Sequence, residues 1–178
     1  MGNGRGLSPG LDWRMARNTV PAAAGDHDHD LCVADALAQA DAICARRGAR
    51  LTALRRRVLE LVWRSHVPVG AYDVMRELGQ GGRPAAPPTV YRALDFLIEH
   101  GLIHRIASLN AFVGCPQPGA AHAGHFMICT ACREVAEFDG GAMSADIARF
   151  ARARGFTVQG QAVELTGICA RCRDAART

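Results

Sequence analysis

Two pairs of cysteines, Cys129-Thr-Ala-Cys132 and Cys169-Ala-Arg-Cys172, constrain this chain more than any other feature. Four thiolates brought together suit a closed tetrahedral zinc site with Zn–S bonds of about 2.3 Å. The pairs are separated by 36 residues, more than a compact zinc ribbon needs. Those residues must form an inserted subdomain whose two ends the metal staples together. A thioredoxin-like redox pair is the alternative for a single C-x-x-C, but two pairs without a surrounding βαβ pattern fit it poorly. The remaining cysteines are Cys32, Cys44 and Cys115, which makes seven. An odd count, without an apolar run behind a basic start to signal export, argues against a disulfide framework.

The 178 residues suffice for one domain of ordinary size or two small ones. With 49% hydrophobic and 21% charged residues, the chain reads as globular. No apolar run approaches eighteen residues, so a transmembrane helix is not expected, and a cytoplasmic location is. The net charge of +4 is unevenly spread. Residues 1–45 carry three arginines and six acids, residues 46–114 eleven arginines and five acids, and residues 115–178 seven arginines and six acids. The middle segment therefore holds +6, an electrostatic footprint fit for nucleic acid. There is no lysine, so any basic contact to phosphate falls to arginine.

Residues 1–30, rich in Gly, Asp, Asn and Pro, are expected to be a disordered extension. Four helical patterns follow. Leu31 to Arg47 ends at Gly48, Thr52 caps Leu54 to Ser65, Ala71 to Leu78 is short, and Pro88 lies in the first turn of a helix that Gly101 stops. The pattern then changes to two strands, 102–107 and 111–113, joined by Ser108-Leu109-Asn110. Helices followed by a two-stranded wing outline a winged helix-turn-helix. Beyond it, strands are expected at 125–129, 134–138, 156–159 and 162–166, with a helix from Met143 to Arg154. The expected class is α+β: a winged-helix domain over 31–110 and a second α/β domain over 111–178.

In the helix that starts near Pro88, Val90, Ala93, Leu94, Leu97 and Ile98 form the apolar stripe. Thr89 and Arg92 stand opposite or beside it, and Tyr91 can contact a thymine methyl or a phosphate. An exposed arginine there can reach guanine edges bidentately or neutralise phosphate. A second donor group, His104, Cys115, His122, His125 and Glu137, lies around the domain boundary. Imidazole with thiolate favours zinc, whereas an all nitrogen and oxygen set would suit Fe(II) or Mn(II) better. Four protein ligands leave no open position for a catalytic water, so a sensing site is expected and an enzyme is not.

The strings Pro87-Pro-Thr-Val-Tyr-Arg-Ala-Leu-Asp-Phe-Leu97, Met127-Ile-Cys-Thr-Ala-Cys132 and Gly167-Ile-Cys-Ala-Arg-Cys172, with His104 and Asn110 on the wing, resemble the ferric uptake regulator family. Within it they are most similar to its zinc-uptake regulators. The resemblance covers roughly Leu31 to Arg173. It implies a winged helix followed by a dimerisation domain, a homodimer, and about two zinc ions per subunit. Cys129, Cys132, Cys169 and Cys172 would take structural zinc; His104, Cys115, His122 and Glu137 would take regulatory zinc, with His125 as the other candidate ligand. Tyr72 and Arg92 fall on DNA-contacting positions, with Thr89 and Tyr91 in the same helix as Arg92. The implied function is a zinc-responsive repressor that binds palindromic operator DNA and controls zinc-uptake genes, with no membrane or small-molecule partner. One departure is Thr52-Ala-Leu-Arg55, where the family usually has proline second. The alternatives are an iron- or peroxide-responsive regulator of the same family and, from another class, a zinc-ribbon thiol oxidoreductase or a zinc buffer.

Overall fold

The computed structural model describes residues 29–64, 67–80, 86–119 and 124–177. Helix α1 (His29–Arg46) takes in the last two residues of the expected extension, while residues 1–28 lie outside the described residues. Gly48, at φ +63°, turns the chain so that the Ala49 N–H reaches the Cys44 carbonyl at 2.9 Å. Helix α2 (Ala53–Trp63) is capped by Thr52, whose hydroxyl accepts from the Arg55 N–H at 3.4 Å. Helices α3 (Ala71–Gly79) and α4 (Pro87–Glu99) follow, and Gly101, at φ +65°, closes α4. The helical repeat aligns Val58, Leu61 and Val62 of α2 with Val90, Ala93, Leu94 and Leu97 of α4 in one core. Cys44 is buried in that core from α1.

Strands β1 (Val69–Gly70), β2 (Ile103–Ile106) and β3 (Ala111–Gly114) form an antiparallel sheet in the order β1-β3-β2. The two-residue β1 has no periodicity of its own to announce it. Segment 111–114, the start of the expected second domain, thus belongs to the sheet of the first half. The hairpin turn spans Ala107 to Asn110, where Asn110 adopts φ +46° and its N–H donates to the Ala107 carbonyl. Together, α1–α4 and this sheet are the expected winged helix-turn-helix.

Period-two alternation gives the hairpin two buried faces. Ile103 and Phe112 join the helical core. Ile106 and Val113 instead join Phe126, Ile128 and Val135 in a second core. His104 pairs with Val113 across the ladder, so it lies on the side of this second core.

The second sheet has the order β5-β4-β6, from β4 (Gly124–Cys129), β5 (Val135–Glu137) and β6 (Ala162–Gly167). β4 runs antiparallel to β5 and parallel to β6. A parallel pair needs a crossover, which α5 (Gly141–Arg152) provides. A short helix, α6 (Ala170–Ala175), was not expected and carries Cys172. The strand expected over 156–159 does not form. Phe156 and Val158 are exposed there, and alternation alone gives a segment no neighbouring strand to pair with. Among the described residues no helix is long and apolar enough to cross a membrane.

Gly114 ends β3 directly against the Trp63 indole, where an added Cβ would overlap the ring. Gly114→Ala should therefore destabilise the protein by about 1–3 kcal/mol through overpacking. A lowered denaturant midpoint would register this, and an unchanged midpoint would mean that Trp63 yields freely.

Candidate metal centres

The parallel register of β4 with β6 runs to Cys129 opposite Gly167, so both strands end at the same level. Cys129 ends β4 with Cys132 in the turn beyond it, Cys169 follows β6 at the cap of α6, and the two segments meet. The Thr130 N–H donates to the Gly167 carbonyl at 2.8 Å, and the Cys169 N–H points at the Cys129 sulfur at 3.4 Å. Arg133, at φ +64°, folds the first turn back so that its N–H reaches the Cys129 carbonyl. The sulfurs of Cys129, Cys132, Cys169 and Cys172 all lie within 4.8 Å of one another. Those of Cys132 and Cys169 are 3.9 Å apart. A tetrahedron with bonds of ~2.3 Å has sulfurs about 3.8 Å apart, so the donor set fits zinc.

Arg171, inside the second pair, donates to the buried Glu134 carboxylate at 2.9 Å and sets a positive charge beside the sulfurs. Burial pushes the Cys129 thiol up, but the amides of Cys132, Cys169 and Ala131 outweigh it and bring it down to about 6. Cys172, sharing protons with the Cys169 and Cys132 thiols, is pushed up to about 12.

A second cluster joins the two halves of the chain. His104 on β2, Cys115 just past β3 and Glu137 at the end of β5 bring one ligand atom each to within 4.8 Å of one another. His104 Nε2 is 3.4 Å from Glu137 Oε1, and its ring meets Phe126 edge-on at 5.3 Å. The Cys115 N–H donates to the Leu102 carbonyl and extends the hairpin by one rung. Cys115 and Glu137 are buried. Nitrogen, sulfur and carboxylate donors in one dry place suit zinc, which accepts all three. His122 lies outside the described residues. His125 is not in this cluster. Alternation turns it to the opposite face of β4, where Nε2 lies 3.0 Å from Ser144 Oγ and 3.3 Å from Gln161 Nε2.

Of the expected DNA-facing residues, Tyr72 on α3 is 77% exposed and Tyr91 on α4 is 42% exposed. Thr89 and Arg92 are exposed on α4, away from Val90, Ala93, Leu94 and Leu97. The Arg55 guanidinium covers the Phe96 ring at 3.5 Å, with His100 stacked on that ring at 3.9 Å. Arg55, Glu134, Arg171, Ser144, Gln161 and Glu164 went unread in the sequence, where only spacing within a motif was visible.

The sequence model of the Ferric uptake regulator family matches residues 46–166. The Zinc uptake regulation protein of Escherichia coli (strain K12) is 39% identical over 139 residues, which is 76% of this chain and 80% of the relative. A solved zinc uptake regulator complexed with zinc and DNA aligns with a TM-score of 0.78 at 35% identity, over 82% of this chain and 98% of that one. A crystal structure of holo XcZur aligns with a TM-score of 0.73 at 36% identity, over 83% and 99% of the two chains.

Burial, opposed by the Gln117 amide and reinforced by the Glu137 charge, pushes the Cys115 thiol up to about 12. It is protonated at neutral pH, and a metal that takes it as thiolate must release that proton. Zinc affinity at this cluster should therefore rise roughly tenfold per pH unit between about pH 6.5 and 8. Buffered-zinc titrations across that range would show the slope, which Cys115→Ser should flatten.

Proposed function

The chain belongs to the ferric uptake regulator family, and we propose that within it the protein is a zinc-responsive repressor. It binds palindromic operator DNA as a homodimer in the cytoplasm and controls zinc-uptake genes. The carrying observation is the meeting of His104 and Cys115 with Glu137, donors from the wing hairpin and from the second sheet. The zinc uptake regulation protein of Escherichia coli and the relative solved with zinc and DNA support the same reading. Two zinc ions per subunit are proposed. Cys129, Cys132, Cys169 and Cys172 hold the structural one, and His104, Cys115, Glu137 and His122 the regulatory one. The Cys115 thiolate is a softer donor than an iron or manganese sensor calls for, which favours zinc over the iron-responsive reading.

Zinc, when bound, supplies a cation that all the regulatory donors share. The residues do the rest. His104 and Cys115 carry the position of the wing hairpin, and Glu137 carries that of the second sheet. With the two fixed to one point, α4 keeps one orientation relative to β6. β6 has a free edge among the described residues, and it carries exposed Leu165, with exposed Ile168 just past its end. We place the dimer seam there, since an open edge bearing apolar side chains seeks a partner. Across that seam the two α4 helices would reach half-sites about one DNA turn, ~34–36 Å, or a multiple apart. Arg92, Thr89, Tyr91 and Tyr72 face the duplex.

An anisotropy titration on a palindromic operator, with and without buffered zinc at fixed salt, tests this. Zinc should tighten binding by about 5–150-fold, the usual range of allosteric coupling. Cys115→Ser should abolish that gain and leave the secondary structure and mass of the particle unchanged; a normal zinc response would remove the cluster from the mechanism. Arg92→Ala should weaken zinc-loaded binding by roughly 5–150-fold, as loss of ~1–3 kcal/mol of base contact predicts. Its zinc stoichiometry should match the wild type.

A further inference from the structure

Glu164 on β6 reaches across to the turn of the wing hairpin. Its Oε1 accepts the Ala107 N–H at 2.6 Å, and its Oε2 accepts the Ser108 N–H at 3.0 Å. The carboxylate therefore grips two consecutive amides, one per oxygen, from a strand more than fifty residues further along the chain. The turn is set to present those amides. Asn110 closes it onto the Ala107 carbonyl, and Arg105 holds the Asn110 side chain at 2.9 Å.

The placement of Glu164 in the sheet gives the contact its meaning. Phe126 stands opposite Glu137 on one side and opposite Glu164 on the other. Glu137, Phe126 and Glu164 therefore form one row across all three strands, on the face turned toward the wing. At one end of the row, Glu137 meets His104 and Cys115. In the middle, Phe126 packs in one core with Ile106 and Val113. At the other end, Glu164 takes the turn. Burial would push the Glu164 carboxyl up, but the Ser108 hydroxyl, the Ser108 amide and the Ala107 amide outweigh it and hold it below the usual range. It is an ionised acceptor at neutral pH.

We propose that Glu164 is a positioning residue: a metal-free second anchor that holds the wing at the far end of the row from the zinc cluster. The zinc cluster and the shared core hold the hairpin at one end and in the middle of the row, which leaves its turn free to lift away. A second grip on the turn removes that freedom. The anchor and the metal then favour the same closed arrangement, and each strengthens the other through that shared preference. This inference rests on the zinc-responsive reading above.

The test uses the full chain with its structural zinc retained. Glu164→Ala should weaken zinc binding at the regulatory cluster, without DNA, by roughly 10–150-fold, as expected for losing charge-assisted hydrogen bonds made only in the closed form. Operator binding at limiting zinc should weaken similarly, and the deficit should shrink at saturating zinc, where the metal alone maintains closure. Loss of a zinc ligand or of a DNA contact would not give that pattern. Glu164→Gln, which keeps one acceptor oxygen, should fall between. Ser108→Pro removes both the Ser108 amide and the Ser108 hydroxyl from the other side and leaves the Ala107 amide, and proline is tolerated at the second position of a type I turn. The double variant should be no worse than the more affected single one. Wild-type zinc affinity in Glu164→Ala, or additive losses in the double variant, would overturn the anchor. Amide exchange decides independently of DNA. Ala107 and Ser108 should be protected in the zinc-loaded wild type and exchange freely in Glu164→Ala, and fast exchange in the wild type would overturn the inference. A wild type that ignores zinc on DNA while those amides are protected would instead overturn the repressor reading alone.

Discussion

In the β2–β3 hairpin, alternate side chains leave the ladder in opposite directions, and each direction ends in a hydrophobic core. Ile103 and Phe112 sink into the helical core, while Ile106 and Val113 sink into the core shared with β4 and β5. The hairpin is thus common property of both halves. A register slip of one residue would exchange the two faces and bury Arg105 where His104 belongs. The placement of His104, the approach of the Phe126 ring and the reach of Glu164 to the turn all depend on that register.

The ionisable groups are placed where a cation would be needed. Burying the Glu137 carboxylate, or Cys115 as a thiolate, far from water is costly unless a positive partner accompanies it. The same holds at the other end of the sheet, where four sulfurs gather and Arg171 offers one positive charge, itself braced by Glu134. The two clusters differ in what they join. The thiols link two turns of a single sheet, so a metal there would fasten one unit. His104, Cys115 and Glu137 link the hairpin to the sheet, so a metal there bears on relative orientation. That difference in location, more than any difference in chemistry, favours the proposed structural role for the one and the proposed regulatory role for the other.

Much of the fold was legible from punctuation and periodicity. Gly48 and Gly101 at helix ends, Thr52 at a cap and Pro87-Pro88 in a first turn act through local backbone geometry, and their elements appear where those residues put them. Less was legible where pairing decides. The two-residue β1 exists because β3 offers it an edge, and 156–159 stays unpaired although its alternation resembles a strand. The candidate donors were visible as residue types, and His104, Cys115 and Glu137 do converge. His125, next to Phe126 in β4, goes to Ser144 and Gln161 instead. Adjacent strand positions point to opposite faces, so nearness in sequence says nothing about sharing a site.

The sequence by itself determined the family, the helical half of the fold and the four-thiol motif, because these rest on local spacing: caps, helical repeats and paired cysteines on tight turns. Tertiary structure decided which donors face one another and what holds the wing. Register across β5, β4 and β6 sets Glu137, Phe126 and Glu164 in one row. Nothing in the local sequence around Glu164 distinguishes it from any solvated strand acid. Its role comes from two amides of a distant turn, which only the folded chain brings within hydrogen-bonding reach.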